Sequence, residues 1–166
     1  MAQNQEVAPT YQVNFMSEAT AEALGNVQSG AGGPFGSVVV RAGHVLAAAH
    51  NQVLENHDPT AHGEIMAIRQ ACTKLGSHDL SGCVLYTNAY PCPMCLSAII
   101  WANIKTVYYG NTAQDAAAIG FRDDYLYHYI ANGCQDNQVL QMEQHDHDLT
   151  IEPFNQFAAK KDKQLY

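Results

Sequence analysis

Between Phe15 and Val27 the apolar residues Phe15, Ala19, Ala23 and Val27 recur at every fourth position, with Leu24 beside them. That spacing predicts an amphipathic helix, ended near Gly25 to Gly30. AGGPFGSVVV then reads as a glycine-rich loop running into a strand, RAG as a break, and HVLAAAHN as the returning strand of a hairpin. HDPTAHGEIMAIRQACTKLG (57–76) predicts a helix, with Asp58 as N-cap and Pro59 in the first helical position. Its apolar stripe is Ile65, Ile68, Cys72 and Leu75, and Gly76 ends it. GCVLYTN is a short buried strand, PCPMCLSAIIWAN a second helix with Pro93 in its first turn, and IKTVYYGN another strand. DAAAIGFRDDYLYHYI is helical in part, broken around Gly120, and QVLQMEQ is a weak strand candidate. Strands alternating with helices predict an α/β sandwich around a largely buried sheet.

A length of 166 residues suits a single domain, read as 1–166, with a core that needs no disulfide staples. No apolar run reaches the roughly 18 residues of a membrane span, so no membrane partner is expected. The first basic side chain is Arg41, which argues against a secretory signal and for a cytoplasmic location. Five cysteines, an odd number, then read as thiols or metal ligands. Formal charge is −8, from 8 Lys+Arg against 16 Asp+Glu, and Lys160, Lys161 and Lys163 crowd the last seven positions. The remaining chain lacks the basic stripe of a nucleic-acid binder, and a small neutral substrate suits it better.

The chemistry concentrates at two helix starts. His62 and Glu64 stand at one, Cys92 and Cys95 at the other. At a first turn, side chains can converge on a point off the helix end, and both N-termini direct positive partial charge there. His62, Cys92 and Cys95 supply three ligands of the types zinc prefers, leaving the fourth position for water or hydroxide. Glu64 is the general acid/base candidate. H-x-E followed by P-C-x-x-C is the signature of the zinc nucleobase deaminases, matched here by His62-Gly63-Glu64 and Pro91-Cys92-Pro93-Met94-Cys95. A redox pair would leave the His-Gly-Glu unexplained, and a structural zinc site would need a fourth protein ligand. His145 to Asp148, HDHD, reads as a solvated acidic loop.

At these residues the chain resembles the cytidine deaminase-like superfamily, and within it the small zinc-dependent bacterial guanine deaminases. The resemblance is carried by GGPFG near 32, His50-Asn51, HDPTAHGEIMAIRQAC, PCPMCLSAIIWA, GFRDD (120–124) and the tyrosine-terminated tail. It implies a three-layer α/β/α sandwich with a central mixed five-stranded sheet, one Zn²⁺ per chain, and conversion of guanine to xanthine and ammonia. It also implies that Asn51 hydrogen-bonds the purine edge, that Phe35 and Trp101 wall the base, and that Asp123 is a second acidic catalytic residue. The partner expected is a second copy of the chain. The tail, about 150–166, would be exchanged within a homodimer, Tyr166 capping the pocket. Rival readings are a deaminase of cytosine, guanosine or tRNA adenosine, and a non-catalytic zinc-containing purine binder. Departures from the family pattern are Tyr90 where Glu is common, Gly63 where Ala is common, and Arg122 within the acidic segment, which leaves Asp123 and Asp124 both open as the second acid.

Overall fold

The computed structural model describes residues 9–165. By packing, the chain forms two compact units, one through Asp124 and one from Tyr125. In the first, helix α1 (Val13–Ser29) precedes the hairpin β1 (Gly36–Arg41) and β2 (His44–His50), and a single turn, α2 (Val53–Asn56), follows. Helix α3 (Gly63–Leu75), strand β3 (Cys83–Ala89), helix α4 (Pro93–Trp101), strand β4 (Thr106–Asn111) and short helix α5 (Ala113–Ala118) complete it. The strand order is β2-β1-β3-β4. β1 pairs antiparallel with β2 and with β3, whereas β3 and β4 are parallel, joined through α4 as parallel neighbours require.

The period-2 alternation of strand side chains sets the layers. Val38, Val40, Val84 and Tyr86 point to one face and pack with Phe15 and Ala19 of α1. Val39, Leu85, Ala47 and Ala49 point to the other and pack with Ala67 and Ala71 of α3 and Ile99 of α4. The mixed α/β architecture agrees with the sequence reading. The sheet differs in having four strands among the described residues. QVLQMEQ forms no strand and pairs with nothing in sheet register.

Two helix details also depart from the pattern. Phe15, Ala19 and Ala23 are buried as expected, but Leu24 and Val27 are exposed and Asn26 takes the next inward position. Helix α3 starts five residues after Asp58 rather than next to it. Asp58 Oδ1 instead accepts from the Thr60 N–H and hydroxyl, forming a side-chain turn, and His62, in extended conformation, is the N-cap. Close approach fixes one glycine: a Cβ on Gly36 would lie 2.2 Å from the Ala19 carbonyl oxygen, so α1 can seat on the start of β1 only because residue 36 is glycine.

The second unit contains α6 from its second residue (Asp124–Ala131), α7 (His147–Thr150) and α8 (Glu152–Ala159), with irregular chain between. Leu149, Phe154 and Leu165 of this unit are exposed. No helix of the described residues is long and apolar enough to cross a membrane.

Candidate metal and base-binding site

Strand β3 and the loop before α3 bring the two helix starts together. His62 is the N-cap of α3 and Cys92 the N-cap of α4, with Cys95 in the first turn of α4. His62 Nδ1 lies 3.6 Å from Cys92 Sγ and 3.6 Å from Cys95 Sγ. All three ligand atoms lie within 4.8 Å of one another. A tetrahedral zinc with Zn–S of about 2.3 Å and Zn–N of about 2.05 Å separates a sulfur from a nitrogen ligand by about 3.6 Å. Donor types and spacing therefore both fit zinc, with three protein ligands at hand among the described residues.

The electrostatics describe a site kept for a cation. Cys92 is held as a thiolate, its pKa brought down to about 4 by the Cys95 S–H that donates to it and by His62. Cys95 is pushed up by that same hydrogen bond to Cys92 and by burial. The bond to Cys92 raises His62, which favours imidazolium. A metal bound here would displace the Cys95 thiol proton and compete with protonation of His62. The dipoles of α3 and α4 point the same way, favouring thiolate at their N-termini.

Glu64, in the first turn of α3, is buried immediately behind the triangle. Its Oε2 lies 3.5 Å from Cys95 Sγ, and its Oε1 accepts from the Thr87 hydroxyl at 3.5 Å. Burial raises its pKa, with the Cys92 thiolate adding to the rise and His62 opposing it. A carboxyl with its proton affinity raised toward neutrality suits alternating roles as base and acid.

A cavity of about 280 Å³ opens in front of the triangle, at the small end of ligand pockets. His62, Glu64 and Cys92 line its floor; Phe35, Phe121, Tyr90 and Leu54 line its walls. Phe35 and Phe121 meet edge to face, 4.8 Å between centroids and 88° apart. Asn51 is buried at its edge. Its Oδ1 accepts from the Val53 N–H, while its side-chain nitrogen has no hydrogen-bond partner among the described residues. Asp123 reaches the cavity, and burial, then the Cys92 charge, raises its pKa. Asp124 instead sits 3.3 Å from Arg122, on the exposed side.

Of the residues singled out from sequence, seven come together here: Phe35, Asn51, His62, Glu64, Cys92, Cys95 and Asp123. Trp101 does not. It ends α4 with 69% of its surface exposed and lies outside the cavity lining, because the α4 face it occupies turns away from the sheet. Tyr166 lies outside the described residues. Phe121 is a wall that the sequence reading does not name, although it lies inside the GFRDD segment; an aromatic two residues before a site carboxylate is the available signal. Tyr90, noted as a departure, is itself a wall and packs edge to face on Tyr109. HDHD holds no group of three convergent metal-binding side chains among the described residues.

Comparison with known proteins places these features. Residues 9–111 match the cytidine and deoxycytidylate deaminase zinc-binding region. Guanine deaminase of Bacillus subtilis (strain 168) is 41% identical over 150 residues, 89% of this chain and 96% of that protein. The X-ray structure of guanine deaminase from Bacillus subtilis aligns at a TM-score of 0.87 with 38% identity, over 95% of this chain and 99% of that one. A tRNA-specific adenosine deaminase of Agrobacterium fabrum is 48% identical, but over 82 residues only, 49% of this chain and 53% of its own.

Proposed function

The chain belongs to the cytidine and deoxycytidylate deaminase family of zinc-binding enzymes, and from that premise we propose that it hydrolyses guanine to xanthine and ammonia. The observation that carries this reading is a zinc-spaced His62–Cys92–Cys95 triangle, backed by buried Glu64, at the floor of a cavity sized for one base. A net charge of −8 opposes a polyanion such as an RNA strand.

His62, Cys92 and Cys95 would hold the zinc, whose contribution when bound is Lewis acidity that makes water nucleophilic at neutral pH. Phe35 and Phe121, packed edge to face, form one aromatic wall that orients the ring and excludes bulk water from it. The free amide nitrogen of Asn51 donates to the ring's exocyclic oxygen, which turns the C2 amino group toward the floor. Glu64 takes a proton from the attacking water on its carboxylate, delivers it to the ring nitrogen next to C2, and then carries the second proton to the departing amine. Water and guanine enter, xanthine and ammonia leave, and Glu64 ends as it began. Asp123, facing the same cavity, accepts from the guanine amino group and assists in moving its protons.

The same reading includes a cytoplasmic homodimer in which the tail from about 150 closes the partner's cavity with Tyr166. Exposure of the apolar Leu149, Phe154 and Leu165 in the second unit supports an exchanged tail. The test is a substrate panel on the zinc-loaded protein: guanine, guanosine, cytosine and an RNA hairpin with a target adenosine. Ammonia release matched by xanthine from guanine alone is expected. Turnover of another member in its place would reassign the substrate, and tight purine binding without ammonia would make the protein a binder.

A further inference from the structure

Asn26 joins the two walls of the cavity from behind. It lies near the end of α1, is 2% exposed, and its Nδ2 donates to two backbone carbonyls, Gly33 and Asn51, each at 2.8 Å. Gly33 stands two residues before Phe35, the aromatic wall; Asn51 carries the amide at the cavity edge. The Asn51 N–H donates to the Phe35 carbonyl at 2.9 Å and closes the circuit between the two segments. Asn88 fastens the far side of the same loop, accepting from the Gly36 N–H at 2.9 Å and donating to the Pro34 carbonyl at 2.8 Å. The glycine loop is thus pinned at both ends, and among the described residues only Asn26 ties it to Asn51 through a side chain.

The cost of Asn26 argues that this tie matters. Its Oδ1 is buried with no partner among the described residues, an unfavourable arrangement for a group wanted only as filling. Phe15, Ala19 and Ala23 occupy the other inward positions of α1, and an aliphatic residue at 26 would continue that stripe. Gly32 shows how closely the tie is drawn. A Cβ there would lie 2.9 Å from Asn26 Nδ2, 2.9 Å from the Asn51 carbonyl oxygen and 3.1 Å from Asn51 Oδ1.

We infer that Asn26 is a positioning residue for substrate selection: by clamping Gly33 and Asn51 it sets the separation between the aromatic wall and the amide that reads the base. This rests on the proposed reading of the site. Two variants break the clamp by different routes. Asn26→Leu removes the donor while keeping the branched side-chain shape, and Gly32→Ala wedges the clamp from the loop side, against Asn26 Nδ2 and the Asn51 carbonyl.

The experiment compares guanine with 2-aminopurine, which lacks the exocyclic oxygen, on zinc-loaded protein. For both variants kcat/KM on guanine should fall roughly 10- to 100-fold, the scale of a small misplacement of the ring. KM should carry most of that loss, the preference for guanine over 2-aminopurine should shrink, and zinc content should stay at the wild-type level. The ratio between two bases does not depend on how much enzyme is folded. A lowered thermal midpoint with unchanged KM and unchanged ratio would overturn the proposal and leave Asn26 a packing residue. If Asn26→Leu does not fold, Gly32→Ala decides alone by the same criteria. Amide exchange at Phe35, Gly36 and Asn51 without any base separates the clamp from the substrate. Should wild-type protein not turn over guanine, faster exchange in the variants still upholds the clamp, and unchanged exchange refutes it.

Discussion

Replacing Glu64 by Gln separates the chemistry of the site from its stability. Glu64 is buried, and its near neighbours are the Thr87 hydroxyl at 3.5 Å and Cys95 sulfur at 3.5 Å, neither a fixed cation. Its folded pKa is raised by burial, so in metal-free protein the folded state holds its proton to higher pH than the unfolded chain, whose Glu titrates near 4.5. The sign follows. Stability from this group is complete below the unfolded value and is lost as pH rises through the folded one. Gln carries no such loss and keeps nearly the same shape. Metal-free Glu64→Gln should match wild type in acid and exceed it at neutral pH by about 1 kcal/mol, a usual gain when a functional site is relaxed. For a chain of this size that is about 2–4 °C in the thermal midpoint. The same variant should bind zinc at wild-type stoichiometry and lose about 10²–10⁴-fold in guanine turnover, the range for a general acid/base. Thermal melts across pH, with zinc analysis and an ammonia assay on the same samples, read all three. A stability gap that widens on acidification would refute the burial argument, and turnover within a few fold of wild type would refute the proton role of Glu64.

Removal of zinc by a chelator should abolish turnover, and zinc added back should restore it in wild type but not in Cys95→Ser, whose metal content should be well below that of wild type. Phe121→Ala deletes one partner of the edge-to-face pair; guanine kcat/KM should fall by about 2- to 12-fold, from about 0.5–1.5 kcal/mol for the aromatic contact. Trp101→Ala, outside the cavity, should leave kcat/KM within about twofold, as exposed substitutions do; a tenfold rise in KM would restore Trp101 to the wall by way of a partner subunit. Truncation after residue 149 should leave zinc content intact and remove guanine turnover, and full turnover by the truncated chain would end the exchanged-tail reading.

Much of the fold was legible because its signals are local. The alternation in Val38 to Val40 and in Val84 to Tyr86 is a direct record of a sheet covered on both faces, and α1 and α3 fill those faces. The errors arose where local and tertiary demands compete. Asp58-Pro59 satisfies every local criterion for a helix start, yet Asp58 spends its carboxylate on Thr60, and the helix begins at the position that sends His62 toward the cysteines. QVLQMEQ has strand-like composition, but a strand needs another to pair with, and its own unit holds none among the described residues. Val27 and Asn26 show the limit of periodicity: a shift of one residue moves the inward face, and hydrophobicity favoured the wrong one.

The site divides by the same logic. His62, Cys92 and Cys95 are legible because the metal demands particular donor types at particular helix positions, and Glu64 because its acid/base role fixes it beside His62; short motifs record both demands directly. The walls are not so constrained. Any large apolar side chain serves, so composition cannot tell Phe121, which lines the cavity, from Trp101, which faces outward. Asn26 is harder still, since it acts only through backbone carbonyls of residues 7 and 25 positions away. The sequence stripe passes it by, running to Val27, so the inward place of Asn26 is visible only in the fold. A polar side chain on an inward helical position needs partners, and the segments able to supply carbonyls there are those that shape the base-binding cavity. Selectivity in this fold therefore depends on α1, a helix that contributes no side chain to the cavity lining.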